Sequence, residues 1–424
     1  MKAPSWAVPS NLQPTASLDD HSYSPPPPRL SSAAWREPRH TIAIVIKYLG
    51  SKRVLVPVLG DIASAAEATT AVDLFTGTTR VAQEFKRRGI EVTATDVASY
   101  SEVLSDCYIA TDAAAVDLDA VQSEIERLNA LPGKPGYMTR TFCEESRYFQ
   151  AHNGARIDAI RGAIEEAHPA GPARAILLAA LLLAADRVDS TTGLQMAYLK
   201  QWSPRSHRDL ELRLPELLSG TGRTVRGDAM RTVDVLDQVD LMYLDPPYNQ
   251  HRYFTNYHVW ETLVRWDHPE HYGIACKRVD ARDDHTRSVF NRKRAMPGAL
   301  ADLIGRARAE VLVVSYNDES WITPEEMTSA LHEAGHECVQ VLAFDSKRYV
   351  GAQIGIHGPT GEKVGEVKRL RNVEYLFVAG DRDRVHAVSS SAGRMGTGGR
   401  LAQGRPDRSR RFDRQPPPAH DRNS

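Results

Sequence analysis

The apolar stretch that ends in Tyr243-Leu244 runs straight into Asp245-Pro246-Pro247-Tyr248. Neither proline nitrogen can donate to a sheet ladder, so a strand arriving here must stop in a rigid turn. That turn carries one carboxylate and one aromatic ring at the carboxyl end of a strand. This is the edge at which open α/β sheets bind their ligands. A hydrogen-bond acceptor beside a flat stacking surface suits a planar base bearing an exocyclic amine. A purely structural turn uses the same residues, so the remainder of a nucleotide site decides between the two.

Strand and helix patterns alternate around this point. Thr41–Ile46 is a β-branched run, followed by a helix-like stretch from Ser51. Thr70–Phe75 reads as a strand, Thr79–Arg88 as a helix and Ile90–Thr95 as a second strand. Residues 98–215 look almost wholly helical. Strand patterns return at Arg223–Arg226, Asp240–Leu244, Glu310–Ser315, Glu337–Phe344 and Asn372–Val378. The expected fold is α/β: a doubly wound, Rossmann-like sheet with a helical insertion over 113–220. The last two strands have no clear helix between them, which predicts an antiparallel hairpin at the sheet edge. Residues 41–112 and 221–380 then form the catalytic, cofactor-binding domain.

The 424 residues carry a formal net charge of -1, unevenly spread. Residues 1–40 are rich in Pro and Ser and read as a disordered leader. Residues 381–424 hold ten Arg and five Asp with few apolar residues, and read as a disordered Arg-rich tail. The body between them is net acidic, so any grip on nucleic acid must come from a local basic patch. Cys107, Cys143, Cys276 and Cys338 form no close pair, and no metal motif is readable. The longest apolar stretch, Ala175 to Ala185, is too short to span a bilayer. A reduced, cytoplasmic protein follows from these features.

The first strand ends in Asp73-Leu74-Phe75-Thr76-Gly77-Thr78-Thr79 and leads directly into a helix. Gly77 permits close backbone approach to a ligand, and the helix start offers free amide donors. The second strand ends at Asp96, where an acid can bond both hydroxyls of a ribose. The turn has too little glycine for a pyrophosphate loop, so S-adenosylmethionine fits better than NAD. Upstream, Lys47-Tyr48-Leu49-Gly50-Ser51-Lys52 offers lysines for a carboxylate and a ring to pack against it. Asp228, after another short strand, can accept from an adenine amine or simply lie exposed in a turn.

In this order, the Lys47–Lys52 box, Asp73–Gly77, Asp96, Asp228 and Asp245–Tyr248 resemble the Dam-like adenine-specific DNA methyltransferases. The resemblance runs from about residue 45 to 380, and Asp-Pro-Pro-Tyr is its most specific part. One departure is Thr79, where that family often has a second glycine. The resemblance implies that Tyr48, Lys52 and Asp96 hold S-adenosylmethionine, with Asp73, Phe75, Gly77 and Asp228 at its pocket. It implies that Asp245 and the carbonyl of Pro246 accept from the target adenine's amine, while Tyr248 stacks on the flipped base. Methyl transfer is then a direct in-line displacement with no covalent enzyme intermediate.

Past the box, His251, Arg252 and Tyr253 lie nearest the expected pocket and are candidates to touch the target strand. Lys277–Arg294 is rich in Lys and Arg, including Lys277, Arg278, Arg292 and Lys293, and is the best phosphate-binding candidate. The insertion 113–220 is the expected base-reading module. Within it, Asp186-Arg187-Val188-Asp189 follows an apolar helix, and paired buried charges there would close a domain interface. The expected activity is site-specific methylation of adenine in double-stranded DNA, in a bacterial setting with a cognate restriction endonuclease. The rivals are methylation of cytosine's amine or of RNA, and a catalytically silent DNA-binding protein of the same fold.

Overall fold

Residues of the central strands are apolar on both faces, and the period-two alternation divides them between two cores. Ala71, Leu241, Tyr243, Val311 and Val313 face one core. Val72, Met242, Leu244, Leu312 and Val314 face the other. A strand buried on both sides belongs inside a sheet covered by helices on each face. The computed structural model describes residues 29–30, 45–50, 52–247, 252–347, 356–357, 363–365 and 371–395.

Seven strands form the body of the sheet: β1 Thr70–Asp73, β2 Glu91–Asp96, β3 Gly222–Arg226, β4 Val239–Leu244, β5 Ala309–Asn317, β6 Cys338–Lys347 and β7 Arg371–Gly380. Their spatial order is β6-β7-β5-β4-β1-β2-β3. All run parallel except β7, which is antiparallel to both β5 and β6. From β1 the chain winds outward through β2 to β3, then returns to β1's other side at β4. The crevice between β1 and β4 is therefore the topological switch point of the sheet. The two strands are in register at Asp73 and Tyr243, and Leu74 N donates to Tyr243 O at 3.0 Å. Thus the turn after β1 and the turn after β4 leave the sheet side by side. The expected doubly wound sheet and edge hairpin are both present, with β7 inserted between β5 and the outer β6.

The insertion between β2 and β3 contains the helices Leu118–Asn129, Ala151–Ala167 and Pro172–Val188. Ile157, Ile160 and Leu177 to Leu182 are buried in the same core as the sheet residues Ala71 and Val92. The helical reading of 98–215 holds only as far as Val188. Beyond it the chain is largely irregular up to β3, apart from one short turn at Pro204–His207. Asp189, Gly193 and Pro204 are residues that favour caps and turns over helix interiors.

Three further expectations need correction. Val45 and Ile46 lie in no strand, and 41–44 fall outside the described residues. Within the expected leader, Arg29–Leu30 pairs in parallel with Ala343–Phe344 of β6. Within the expected tail, Arg382–Met395 is a helix. Asp381 accepts from Arg384 N at 2.9 Å at its start, and Val385 and Val388, one turn apart, bury into the core. Two well-spaced valines and an Asx cap outweigh the segment's low apolar content.

Candidate active site at the strand switch point

The two turns at the switch point line one small cleft. Tyr48, Lys52, Asp73, Phe75, Gly77 and Asp245 all border it, so six candidates from three separate stretches of sequence meet there. Each is placed by a backbone constraint. Asp73 and Asp245 terminate adjacent strands. Gly77 takes a left-handed φ of +50°, and its amide donates to Asp96 Oδ2 at 2.9 Å. Ala98 N donates to the other Asp96 oxygen at 3.0 Å, so both ends of that carboxylate are fixed by backbone.

Asp73 is buried. Its Oδ2 accepts from Thr76 Oγ1 at 2.9 Å and Ala82 N at 3.2 Å, whereas Oδ1 makes no hydrogen bond among the described residues. Burial pushes its carboxyl up to about 7, with the Asp245 and Asp96 charges adding to the effect. A buried acceptor left open at a cleft is a group waiting for a donor.

Thr79 stands where a second glycine is common in the resembling family, and it adopts a left-handed φ of +63°. For a β-branched residue that conformation costs on the order of 1–2 kcal/mol. Local hydrogen bonds hold it there: Thr79 N donates to Thr76 O at 2.7 Å, and Gln83 Nε2 to Thr79 Oγ1 at 2.8 Å. The turn therefore keeps a glycine-like path without the glycine.

The aromatic side of the cleft is built on Tyr48. Its ring stacks on Tyr257 with centroids 4.7 Å apart and lies 5.3 Å from Tyr253. Leu49 N donates to Tyr257 Oη at 2.6 Å, which ties the amino-terminal box to the segment after Asp-Pro-Pro-Tyr. Tyr253 thus packs against the cofactor-side candidate Tyr48. Neighbouring Lys47 pairs with buried Asp186 at 2.9 Å and Asp189 at 3.2 Å. Those charges join the box to the helical insertion, as their position after an apolar helix suggested.

Lys52 is only 7% exposed, with its Nζ 3.1 Å from Asp245 Oδ1 and 3.3 Å from Glu374 Oε2. Burial pushes the Asp245 carboxyl up to about 6; Lys52 pulls it down and Glu374 pushes it further up. Sequence reasoning missed Glu374 and Tyr257. An acid inside the apolar run Val373–Val378 was the available signal for Glu374. Tyr257 carried none beyond being one of several aromatic residues.

Other candidates are placed as follows. Pro246 is buried behind Asp245, while Tyr248 and His251 lie outside the described residues. Asp228 is exposed and accepts from Met230 N at 3.0 Å, capping the helix Ala229–Val235. Arg252, Arg292 and Lys293 are exposed, and Lys277 is half-buried. Arg278 is a correction: it is 1% exposed and clamped by Asp267 and Asp280, with bonds of 2.7 Å to each. Its donors are spent inside the protein, which withdraws it from the phosphate-binding candidates. Glu145, His271 and Cys276 bring possible metal-ligand atoms within 4.8 Å of one another, a grouping their sequence spacing does not reveal. His271 Nε2 and Glu145 Oε2 lie 2.8 Å apart, hydrogen-bond distance, which accounts for that pair without an ion.

The family model described as "D12 class N6 adenine-specific DNA methyltransferase" matches residues 48–330. Modification methylase StsI of Streptococcus sanguinis is 29% identical over 68% of this chain and 46% of its own length. Type II methyltransferase M.NlaIII of Neisseria lactamica is 29% identical over 62% of this chain and 79% of its own. Type II methyltransferase M.CviAII of Paramecium bursaria Chlorella virus 1 is 28% identical over 78% of this chain and 97% of its own. Against the StsI methylase, then, the chain spans less than half of the relative.

Proposed function

The chain belongs to the D12 class N6 adenine-specific DNA methyltransferase family, and from that membership we propose that it transfers a methyl group from S-adenosylmethionine to the exocyclic amine of adenine at specific sites in DNA. The observation that carries this reading is the meeting of Asp245 with the Asp73–Gly77 turn in one cleft at the switch point. The cleft's residues fit the cofactor. Asp73 offers a buried acceptor that is open among the described residues, Gly77 lets the turn pass close under the Tyr48 ring, and Asp96 ends β2 where a ribose is held in dinucleotide folds.

Tyr48, Asp73, Phe75, Gly77 and Asp96 would hold S-adenosylmethionine, with Asp228 at the rim. Bound there, the cofactor supplies an electrophilic methyl group on a sulfonium. Lys52, which lines the same cleft and pairs with two carboxylates, would reach the cofactor's side of the cleft while orienting Asp245. Ionised Asp245 accepts a hydrogen bond from the target amine, and the Pro246 carbonyl adds a second acceptor. Together they keep the nitrogen lone pair aimed at the cofactor side of the cleft. Tyr248 stacks on the base once it is extruded from the duplex. Orientation, more than a strong base, supplies the rate enhancement.

In this reading residues 113–220 read the target sequence, and Arg252, Lys277, Arg292 and Lys293 contact phosphates of double-stranded DNA. The protein acts in the bacterial cytoplasm, paired with a restriction endonuclease of the same specificity. Among the described residues no helix is long and apolar enough to cross a membrane. The deciding experiment incubates the chain with methyl-labelled S-adenosylmethionine and mixed-sequence DNA, then identifies the labelled nucleoside. N6-methyladenine is expected. Label recovered only as methylcytosine, or only in RNA, overturns the proposal, and DNA binding without any transfer favours the silent-protein reading.

A further inference from the structure

We propose that Glu374 is a positioning residue for Asp245, acting through Lys52: one buried ammonium is shared between two carboxylates, and the hairpin strand supplies the second of them. Glu374 stands on β7, with its backbone opposite Asn317 of β5 and Phe344 of β6. Asn317 Nδ2 lies 3.5 Å from its Oε1, while Oε2 faces Lys52 at 3.3 Å. Asp245 and Glu374 are only 19% and 15% exposed. Among the described residues, two carboxylates share this one ammonium in a poorly solvated place, where an excess of negative charge is costly.

The purpose we assign is control of Asp245. An ammonium paired to Asp245 alone would hold that carboxylate tightly and compete with a ligand amine. Shared with Glu374, Lys52 fixes the geometry of Asp245 while leaving it a better acceptor. The charged and titratable groups facing Asp245 are Lys52, Glu374 on β7, Asp73 on β1 and Tyr243 on β4. Of these, Glu374 supplies a like charge through the common lysine and so raises the proton affinity of Asp245.

The effect on turnover rests on the adenine-methylation reading, so the test has a readout that needs no turnover. In the full chain labelled with carboxyl-¹³C aspartate, the Asp245 resonance is identified by its loss in Asp245→Asn and followed against pH. In Glu374→Gln its midpoint should fall by about one pH unit, tenfold in proton affinity. Glu374→Leu, suited to the apolar strand, should give the same fall, and Glu374→Asp, which keeps the charge, should restore most of the wild-type value. With DNA and S-adenosylmethionine, the acid limb of kcat should move in the same direction while KM for the cofactor stays within about twofold. A midpoint unmoved in both folded variants, Glu374→Gln and Glu374→Leu, overturns the inference. A chain that shows the shift but makes no N6-methyladenine supports the inference and overturns the function proposed above.

Discussion

The ring of Tyr48 lies over Gly77 so closely that a Cβ at residue 77 would meet Tyr48 Cε1 at 3.0 Å. Gly77 is also at φ +50°. Gly77→Ala must therefore both strain the turn, by on the order of 1–2 kcal/mol, and push the ring. The expected result is at least a tenfold weaker affinity for S-adenosylmethionine by equilibrium dialysis, with a modest drop in melting temperature. Unchanged affinity would show that the turn does not border the cofactor.

Asp245 meets the reacting amine in the proposed mechanism, whereas the cofactor residues sit mainly on β1, β2 and the amino-terminal box. Asp245→Ala should lower kcat by roughly 10²–10⁴-fold while cofactor binding is partly retained. Single-turnover methylation and equilibrium dialysis on the same preparation measure the two effects separately. Turnover at the wild-type rate would remove Asp245 from its role.

Asp73 couples stability to pH. Its folded value of about 7 lies above the ordinary 3.8, so between about pH 4 and 7 the folded chain binds a proton that the unfolded chain releases. Its favourable contribution is complete below about pH 4 and is lost as pH rises through 7. Denaturant unfolding across this range should show stability falling with pH for the wild type, with a visibly flatter profile for Asp73→Asn. Identical profiles would mean that Asp73 titrates normally.

Two basic residues from one segment should behave oppositely. Arg278→Ala removes a buried guanidinium and leaves the partly exposed Asp267 and Asp280 without their shared partner, which should lower the melting temperature measurably. Lys293→Ala should leave the melting temperature unchanged but weaken DNA binding and reduce its salt dependence by about one charge. Fluorescence anisotropy over a salt series, alongside thermal melts, distinguishes the two; equal effects on DNA binding would return Arg278 to the interface.

The fold was largely legible because its signals are local. Apolar runs bounded by turn residues locate seven strands to within a few residues, and the double proline fixes the end of β4 by chemistry alone. The lack of a helix between the last two strands was enough to foresee the hairpin. Thr41–Ile46 misled because β-branched composition favours extended backbone without supplying a partner strand. The Arg382–Met395 helix was missed because two buried valines hardly alter composition, yet they suffice once a helix face has a core to meet.

By itself, then, the sequence determined which residues carry chemistry and at which strand ends they stand: Asp73, Asp96 and Asp245, with Gly77 and Tyr48 beside them. Only the tertiary structure decided what those groups do to one another. It put Lys52 between Asp245 and Glu374, stacked Tyr48 on Tyr257, left one oxygen of Asp73 without a hydrogen bond among the described residues, and closed Arg278 inside two carboxylates. Strand ends follow from backbone chemistry that each segment carries in its own residues. Charge pairing and burial depend on groups far apart in the chain meeting at low dielectric, and no local pattern encodes that distance.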